Sequence, residues 1–156
     1  MAIIVTGTPG TGKTEVAKAI AKKMKMKYVN VNDVIKKHKL IEEFDEERDT
    51  NVIDEEKLVE VLVEMIKKND KIVIDSHMAH DVPSEYVDRC VVTKCELKEL
   101  KKRLEKRGYK PEKVRENLDS EIFDICLNEA KEKGHKLMIV NTTGKNAEIL
   151  VDSLLK

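Results

Sequence analysis

A glycine-rich run near the start of the chain fits the pattern G-x-x-x-x-G-K-[ST] at every fixed position. It extends from Gly7 to Thr14, follows the apolar run Ile3-Ile4-Val5 and precedes a pattern typical of an amphipathic helix. In this context the N–H groups of the loop can wrap a phosphate at the N-terminus of the helix. Lys13 can then reach the β- and γ-phosphates, and the Thr14 hydroxyl can ligate magnesium. We therefore expect a nucleoside triphosphate and Mg²⁺ to bind here.

An aspartate stands at the end of a second apolar run, Ile72-Val73-Ile74-Asp75. P-loop enzymes hold magnesium partly through an acidic residue at the end of a neighbouring strand, directly or through water. Taken alone, an aspartate in this place is more often a turn former or a helix cap. The glycine-rich loop reverses that preference, so we expect Asp75 and Thr14 to hold the ion together.

Two histidines follow this aspartate closely, at positions 77 and 80. An imidazole near the γ-phosphate could orient water, relay a proton or hydrogen-bond the transferring group. His77 is the candidate for that role because it lies two residues after Asp75. The alternative for both side chains is a structural hydrogen bond in a loop, and the functional case is weaker for His80.

Two arginines, Arg103 and Arg107, lie at i and i+4 of a predicted helix and therefore share one face, just before Gly108. A glycine in this position can end or hinge the helix. Guanidinium groups suit the charge spread over a transferring phosphoryl group, so the pair is predicted to form a mobile phosphate clamp. The alternative is a solvated basic helix face, to which four neighbouring lysines belong.

Short apolar runs alternate with longer helical patterns along the chain, which predicts a parallel sheet covered by helices. No internal repeat interrupts this order. The predicted strands are Ala2–Thr6, Tyr28–Val31, Lys71–Asp75, Cys90–Thr93 and Lys136–Val140.

Apolar side chains at helical spacing predict which helix faces point inward. Asp54 is expected to cap one helix, Pro111 to begin another, and a last helix is expected near 147–155. The inward residues predicted for the three middle helices are, in turn, Leu58, Val61, Leu62, Met65 and Ile66; Leu97, Leu100 and Leu104; and Val114, Leu118, Ile122 and Ile125.

The composition limits the protein class. The chain has 156 residues, enough for one ordinary domain, and its 30 basic side chains equal its 30 acidic ones. That balance excludes a general nucleic-acid or membrane-surface binder. The three cysteines lack zinc-ligand spacing and are expected to be reduced packing thiols. The first residues leave no room for a signal peptide and no apolar run is long enough to span a membrane, so we expect a cytoplasmic protein.

The order of these motifs resembles the atypical adenylate kinase isoenzyme 6 family, also called CINAP. The likeness covers nearly the whole chain and includes the P-loop, the Asp-x-His of residues 75–77 and the run from Arg103 to Tyr109. The segments less generic than a P-loop are Tyr28-Val-Asn-Val-Asn-Asp33, Phe44-Asp-Glu-Glu-Arg-Asp49 followed by Ile53-Asp-Glu-Glu56, and Asn117-Leu-Asp-Ser-Glu-Ile-Phe123.

The resemblance implies an α/β protein with a P-loop nucleoside monophosphate kinase fold, a five-stranded parallel sheet flanked by helices. One domain would cover residues 1–156, with a monophosphate-binding segment at about 30–54 and a short lid at about 107–117. Members of the family phosphorylate AMP with ATP, hydrolyse ATP and act in rRNA processing during small-ribosomal-subunit maturation. The implied cofactors are ATP and Mg²⁺. The implied partners are AMP or a similar monophosphate, a uS11-type ribosomal protein and the pre-ribosome, with neither a membrane nor a specific nucleic-acid sequence among them.

The family pattern also assigns site residues. The loop Asn141–Asn146 resembles the segment beside the adenine in such kinases, and Arg115 would join the lid arginines or face water. The implied catalytic residues are Lys13, Asp75, His77, Arg103 and Arg107. The residues implied to bind ATP are Gly10, Thr11, Gly12, Lys13, Thr14, Arg107 and Lys145.

Asn30, Asp33 and Lys36 are implied to bind the acceptor monophosphate. Relatives resemble this chain here but carry a phosphate-gripping arginine where it has Lys36. A lysine supplies a point charge without the planar fork of arginine, which predicts a weaker hold on AMP.

The acidic run Glu42-Glu43-Phe44-Asp45-Glu46-Glu47 falls inside the segment that should receive this anion. Its carboxylates would repel a nucleotide unless they point away. An outward acidic face could dock a basic protein, and the family resemblance makes the ribosomal protein the candidate. A solvated, mobile flap is the alternative, because charge runs usually face water.

Three functions are consistent with these observations. The first is a phosphotransferase that makes two ADP from ATP and AMP and also hydrolyses ATP. The second is an ATP-driven assembly factor for which AMP matters little. The third is a GTP-dependent switch, which would need Asn-Lys-x-Asp after a strand, and Asn141-Thr-Thr-Gly144 does not supply it.

Overall fold

The computed structural model describes residues 1–47 and 50–155. Its strands, numbered in chain order, are β1 (Ala2–Gly7), β2 (Lys27–Asn30), β3 (Ile41–Asp45), β4 (Thr50–Ile53), β5 (Ile72–Asp75), β6 (Arg89–Lys94) and β7 (Leu137–Asn141). Five of them form one parallel sheet in the order β2-β5-β1-β6-β7. The predicted five-stranded parallel sheet is therefore confirmed.

Helices cover both faces of this sheet. They are α1 (Lys13–Met24), α2 (Val31–Lys37), α3 (Glu55–Lys68), α4 (Leu97–Lys106), α5 (Pro111–Ile122), α6 (Ile125–Glu132) and α7 (Ala147–Leu154). Side chains of α1 and α7 share one apolar cluster with the sheet, and side chains of α2, α3 and α6 share the other. The predicted inward face of α3 is confirmed, and Asp54 caps that helix by accepting a hydrogen bond from the Lys57 N–H at 3.1 Å.

The central strands are buried on both faces, as expected for a sheet between two helical layers. Ile4 and Ile74 belong to one apolar cluster, whereas Val5 and Val73 belong to the other. Because β1 and β5 run in parallel with Val5 opposite Asp75, the carboxyl ends of both strands meet at one edge. The chain crosses from β1 to β2 on one side and from β5 to β6 on the other, and ligands bind at such a switch point in open α/β sheets.

An antiparallel hairpin, β3 with β4, occupies the acidic segment, where the sequence predicted no strand. Phe44 pairs with Asn51, and the register shifts between Ile41 and Glu43. The segment Ile41-Glu-Glu-Phe-Asp45 places its two apolar residues three positions apart, which does not match the alternation typical of a strand. Arg48 and Asp49, which belong to the acidic motif, lie outside the described residues.

Two inward positions predicted for one long helix are wrong. The helix ends at Ile122, which is 52% exposed, and a separate helix begins at Ile125, which is 42% exposed. Between them Asp124 has a φ of 52°, in the left-handed region. This break changes the direction of the chain, so the helical spacing that aligned both isoleucines with Val114 does not continue through it.

The inward face predicted for α4 was expected to lie on the sheet, like that of α3, and this expectation is also wrong. Leu100 and Leu104 are fully buried, but they form a separate cluster with Val114 of α5. Leu97, at the first residue of the helix, is 42% exposed. The predicted strand Tyr28–Val31 likewise ends one residue early, because Asn30 caps α2 by accepting a hydrogen bond from the Asn32 N–H.

The three cysteines are free thiols. Cys90 and Cys95 are buried, as expected of packing residues, whereas Cys126 is partly exposed and lines the cleft described below. None of the helices described over 1–47 and 50–155 combines the length and the apolar character needed to cross a membrane.

Candidate active site

The glycine-rich loop connects β1 to α1 at the carboxyl edge of the sheet. Gly10 has a φ of 91°, and a Cβ there would lie 2.9 Å from Leu100 Cδ1. A Cβ on Gly7 would lie 2.7 Å from the carbonyl oxygen of Thr93. Only glycine permits this backbone path against α4 and β6, so the pattern in the sequence reflects local packing as well as phosphate binding.

Threonine hydroxyls join the loop to the neighbouring elements. Thr11 Oγ1 lies 2.7 Å from Thr93 Oγ1 on β6 and donates to the Thr8 carbonyl at 2.6 Å. Thr142, in the loop after β7, donates to the Thr11 carbonyl at 2.6 Å. All four threonines are buried. These hydrogen bonds hold the loop to β6 and to the loop after β7.

Glu121 completes this scaffold, and the sequence analysis did not identify it. Its carboxylate is 6% exposed and accepts hydrogen bonds from Thr8 Oγ1 at 3.1 Å, Lys94 Nζ at 2.7 Å and the Cys95 N–H at 2.8 Å. One buried carboxylate thus connects α5 to the P-loop and to the end of β6. A signal existed: Glu121 lies seven residues after Val114, so it is a charge on the apolar face of α5.

Lys13 lies at the start of α1 and faces the cleft. Its Nζ donates to the Thr8 carbonyl at 3.3 Å, so the ammonium group bends back over its own loop. Burial lowers the pKa of Lys13 to about 8, and the negative charge of Asp75 opposes part of that shift. The lysine is therefore mostly charged at pH 7, and a bound phosphate would favour the charged form further.

Asp75 and Thr14 are brought together as predicted. Thr14 Oγ1 donates to Asp75 Oδ2 at 2.7 Å, and the carboxylate is 4% exposed. A hydroxyl and a carboxylate oxygen side by side are the ligand types that Mg²⁺ prefers. These residues fit the ion, which would neutralise phosphate charge when bound. Tyr28 also donates to Asp75 Oδ2, at 2.7 Å, which the sequence did not indicate.

His77 lines the same cleft, beyond Asp75. The side chain reaches the surface, yet the walls of the cleft desolvate the ring. This desolvation, followed by the positive charge of Lys13, lowers the pKa of His77 to about 4. The imidazole is therefore neutral at pH 7. It can accept a proton or orient water, but it is not an imidazolium that could serve as a general acid.

His80, for which the functional case was the weaker one, is held between two elements and also lines the cleft. The ring is buried, with Nδ1 2.9 Å from Thr6 Oγ1 and Nε2 2.6 Å from Glu129 Oε2. It joins the end of β1 to α6. Asp81 Oδ1 lies 3.8 Å from the same Nε2, and Lys133 Nζ pairs with Asp81 at 3.3 Å.

The two arginines differ in their surroundings. Arg103 is half-buried and donates to the Gly10 carbonyl at 3.3 Å and to Thr142 Oγ1 and O at 3.1 Å each. Arg107, the C-cap of α4, is exposed and lines the cleft. Both arginines line the cleft, but the Arg103 guanidinium is hydrogen-bonded to the walls of the P-loop, whereas Arg107 is exposed.

The cleft extends well beyond the P-loop and has a volume of about 1990 Å³. A site for one small ligand typically has about 300–1000 Å³. One end is formed by Lys13 and Arg107, and the lining also includes Asn30, Asn32 and Glu55. The space is therefore large enough for two ligands of nucleotide size.

The remaining predicted site residues lie away from this lining. Asp33 and Lys36 are exposed on α2, and Lys145 is exposed in the loop after β7. Arg115 is exposed on α5. None of these four is among the described residues that line the cleft. Asn30 does line it, although its side-chain oxygen is used to cap α2.

Comparison with known proteins identifies the family. A family model described as an AAA domain matches residues 3–124. The chain is 35% identical over 153 residues to the adenylate kinase isoenzyme 6 homolog FAP7 of Saccharomyces cerevisiae, covering 97% of this chain and 77% of the yeast protein. The chain belongs to the adenylate kinase isoenzyme 6 family. The resemblance stated from its motifs is therefore confirmed.

Other isoenzyme 6 relatives agree with this assignment. The Schizosaccharomyces pombe isoenzyme 6 homolog is 36% identical over 152 residues, covering 97% of this chain and 86% of the other. A Methanocaldococcus jannaschii protein provisionally named an adenylate kinase is 40% identical over 156 residues, covering 100% and 85%. Family membership and the P-loop kinase fold make this isoenzyme 6 family member a nucleotide kinase.

Solved structures show the fold alone. Shikimate kinase from Acinetobacter baumannii superposes with a TM-score of 0.69 at 16% sequence identity, over 99% of this chain and 90% of that one. A gluconokinase from Sinorhizobium meliloti gives 0.65 at 16% identity, over 99% and 89%. The scaffold of this isoenzyme 6 family member is thus shared with P-loop kinases of quite different acceptors.

Proposed function

We propose that this protein is a magnesium-dependent adenylate kinase, which converts ATP and AMP to two ADP and also hydrolyses ATP. The observation that carries the proposal is the continuous cleft from Lys13 to Asn30 and Asn32. Its P-loop end fits a triphosphate, and its volume leaves room for a second nucleotide. In the transfer, an oxygen of the AMP phosphate would bond to the γ-phosphorus while the bond to the bridging oxygen breaks.

On this proposal, the residues of the P-loop end supply position and charge. The loop around Gly10, Thr11 and Gly12 would wrap the triphosphate with its N–H groups, and Lys13 would reach the terminal phosphates. Thr14 and Asp75 would hold Mg²⁺. Little covalent chemistry is needed from the protein, since positioning and electrostatics provide most of the rate in phosphoryl transfer.

Two further residues complete the proposed donor side. Arg107 would move with the lid at about 107–117 and stabilise charge on the transferring group. Arg103 would hold the walls of the ATP site through Gly10 and Thr142, and its guanidinium would turn to the phosphates only if those bonds break. Lys145, beside Thr142, would lie towards the adenine.

The acceptor side is proposed to be the segment 30–54. Asn30 already lines the cleft, and Asp33 and Lys36 follow on α2. Four glutamates of the hairpin segment, Glu42, Glu43, Glu46 and Glu47, are exposed, and Asp45 is partly buried. An AMP dianion would therefore meet this segment through α2, with the acidic hairpin directed to solvent.

Hydrolysis is proposed because the site is open and holds a neutral imidazole. With no acceptor bound, water would enter the cleft, and His77 would orient it or accept its proton. Replacing His77 with alanine should reduce phosphate release more than ATP binding. Equal losses of binding and hydrolysis would instead indicate a structural role for the ring.

The decisive assay mixes the protein, Mg·ATP and AMP and follows ADP and free phosphate separately. Transfer gives two ADP for each AMP consumed without phosphate, and hydrolysis gives phosphate. Lys13→Ala is the control for contaminating activity, and EDTA tests the dependence on magnesium. If neither product rises above the Lys13→Ala control, the enzyme proposal fails.

A second function is an ATP-driven assembly factor in the cytoplasm that acts in small-subunit rRNA processing and ribosome biogenesis. It is favoured by the hairpin, where Glu42, Glu43, Glu46 and Glu47 are exposed beside Phe44, which is 55% exposed. A negative surface with one aromatic ring suits a basic protein segment, and the proposed partner is a uS11-type ribosomal protein on the pre-ribosome.

Charge reversal tests the partner separately from catalysis. Converting the four hairpin glutamates to lysine should weaken binding of the ribosomal protein and reduce its salt dependence, with ATP affinity unchanged. The control converts four exposed glutamates elsewhere, Glu60, Glu64, Glu105 and Glu112. Unchanged affinity of the hairpin variant for the ribosomal protein would rule out this docking surface.

A further inference from the structure

Tyr28 lies against the carboxylate proposed to hold magnesium. Its hydroxyl donates to Asp75 Oδ2 at 2.7 Å, and Thr14 Oγ1 donates to the same oxygen at 2.7 Å. Tyr28 is 47 residues distant from Asp75 in the chain. The two donors come from different elements, β2 and α1, so the carboxylate of β5 is held from two sides.

The sheet register determines this placement. In the parallel pair of β2 and β5, Tyr28 lies opposite Val73 and Asn30 lies opposite Asp75. Side chains two residues apart point to the same face of a strand, so Tyr28 and Asn30 share the face of Asp75. A tyrosine is long enough to reach the residue two positions further along the neighbouring strand, where the carboxylate lies.

The direction of the hydrogen bond is also determined. Asn30 Nδ2 donates to the Tyr28 hydroxyl oxygen at 3.3 Å. The oxygen therefore accepts from the amide, and its single proton is left for Asp75. The Lys18 ammonium lies 5.6 Å from the centroid of the Tyr28 ring and holds it by a cation–π contact.

We propose that Tyr28 is a positioning residue for magnesium, because its hydroxyl orients the Asp75 carboxylate towards the ion. This inference rests on the proposed role of Asp75. A hydroxyl donates through its proton and ligates through a lone pair, so Thr14 can keep its bond to Asp75 while its oxygen binds the metal. Tyr28 then provides the second donor that keeps the carboxylate from rotating. Outer partners of this kind tune metal affinity without touching the metal.

The test compares Tyr28→Phe with a matched control, Tyr86→Phe. Both variants remove one phenolic hydroxyl from a ring that carries a lysine ammonium, Lys67 lying 5.5 Å from the Tyr86 centroid. Tyr86 packs against the apolar core and is not among the described residues that line the cleft. The readout is the affinity of a non-hydrolysable ATP analogue, measured by calorimetry with Mg²⁺ and again with EDTA.

Mg²⁺ should increase the affinity for the ATP analogue, and we expect Tyr28→Phe to reduce this gain by about tenfold. Losses of that size are typical when a residue that hydrogen-bonds to a metal ligand is removed. Affinity in EDTA and the thermal midpoint of the nucleotide-free protein should not change. Tyr86→Phe should leave the gain intact. In an Asp75→Asn background, Tyr28→Phe should have no further effect on the gain, because the two residues act as one unit.

Three outcomes overturn the inference. An unchanged magnesium gain in Tyr28→Phe means that the hydroxyl does not position the carboxylate. Equal losses with Mg²⁺ and with EDTA mean that Tyr28 only supports the fold. If wild-type protein gains no affinity from Mg²⁺, both the inference and the proposed metal site fail, whereas the first two results leave the proposed function standing.

Discussion

The two ends of the cleft are constructed differently. At the P-loop end, buried side chains such as Glu121, Thr93 and Thr142 hydrogen-bond the loop to three neighbouring elements. Beside the proposed acceptor end, which Asn30 and Asn32 line, α2 and the hairpin present exposed charges that include Lys36 and Glu42. One end is preorganised for a phosphate, whereas the other has its charges outside the cleft.

This difference indicates where affinity and specificity arise. A preorganised site does not lose binding energy to its own ordering. The P-loop end should therefore bind the triphosphate without rearranging. On the proposed function, α2 would have to move towards the cleft before Lys36 could contact a phosphate.

Removing the Lys13 side chain is the strongest test of the difference between the two ends of the cleft. We expect Lys13→Ala to reduce turnover by on the order of a thousandfold, because it removes the only cation that a P-loop aims at the terminal phosphates. Single-turnover measurements of γ-phosphate loss check this. A residual rate within tenfold of wild type would show that the P-loop end does not dominate catalysis.

Removing Glu121 tests the scaffold of the P-loop end. Glu121→Ala should lower the free energy of unfolding by about 3 kcal/mol, because it leaves Lys94, Thr8 and the Cys95 N–H without their buried acceptor. Urea denaturation gives the value. Glu112→Ala, an exposed position on the same helix, should change it by less than about 0.5 kcal/mol. Similar effects of both substitutions would contradict the scaffold.

The pH dependence of ATP binding tests the P-loop end of the cleft further. The pKa of Lys13 is lowered to about 8 by burial, and phosphate favours the charged lysine. The free protein loses this charge above pH 8, so binding then requires proton uptake. Affinity should be constant near pH 7 and fall by up to about tenfold per pH unit above pH 8.

Calorimetry with the ATP analogue between pH 7 and 9.5 measures this profile. Lys13→Arg is the control, because an arginine stays charged throughout and should bind with no such fall. A flat wild-type profile would mean that Lys13 is not the group that meets the phosphate.

The smallest effect is expected at Lys36. Lys36→Ala should raise KM for AMP by about fivefold, since one exposed charge contributes little, and should leave ATP affinity unchanged. Lys36→Arg should lower KM for AMP because a guanidinium grips a phosphate with two donors. Initial rates at varied AMP and saturating ATP provide the test. If KM does not respond to either change, Lys36 does not contact the acceptor.

Several features of the site followed from local sequence patterns. The P-loop, Asp75 and His77 occur in short motifs whose chemistry depends on neighbours in the chain, and the structure brings them to one edge of the sheet. The five strands were recognisable because buried parallel strands are continuous apolar runs. Asp54 was identified as a cap because its side chain bonds only three residues ahead.

Other features lay beyond that reasoning. The hairpin and the break at Asp124 involve near neighbours, but apolar periodicity does not reveal them. Arg103 and Arg107 share a helix face in sequence and both line the cleft, but only the fold decides that Arg103 bonds to Thr142. These two residues are 39 positions apart in the chain, so helical spacing cannot indicate their contact.

The sequence by itself thus determined the phosphate-binding chemistry and the class of fold, because both rest on residues that act on their near neighbours. The tertiary structure decided which groups support that chemistry. Glu121 meets Thr8 across 113 residues, and Tyr28 meets Asp75 across 47. Only the packing of α5 and the register of β2 create those contacts, since neither a helix nor a strand specifies alone what it will face.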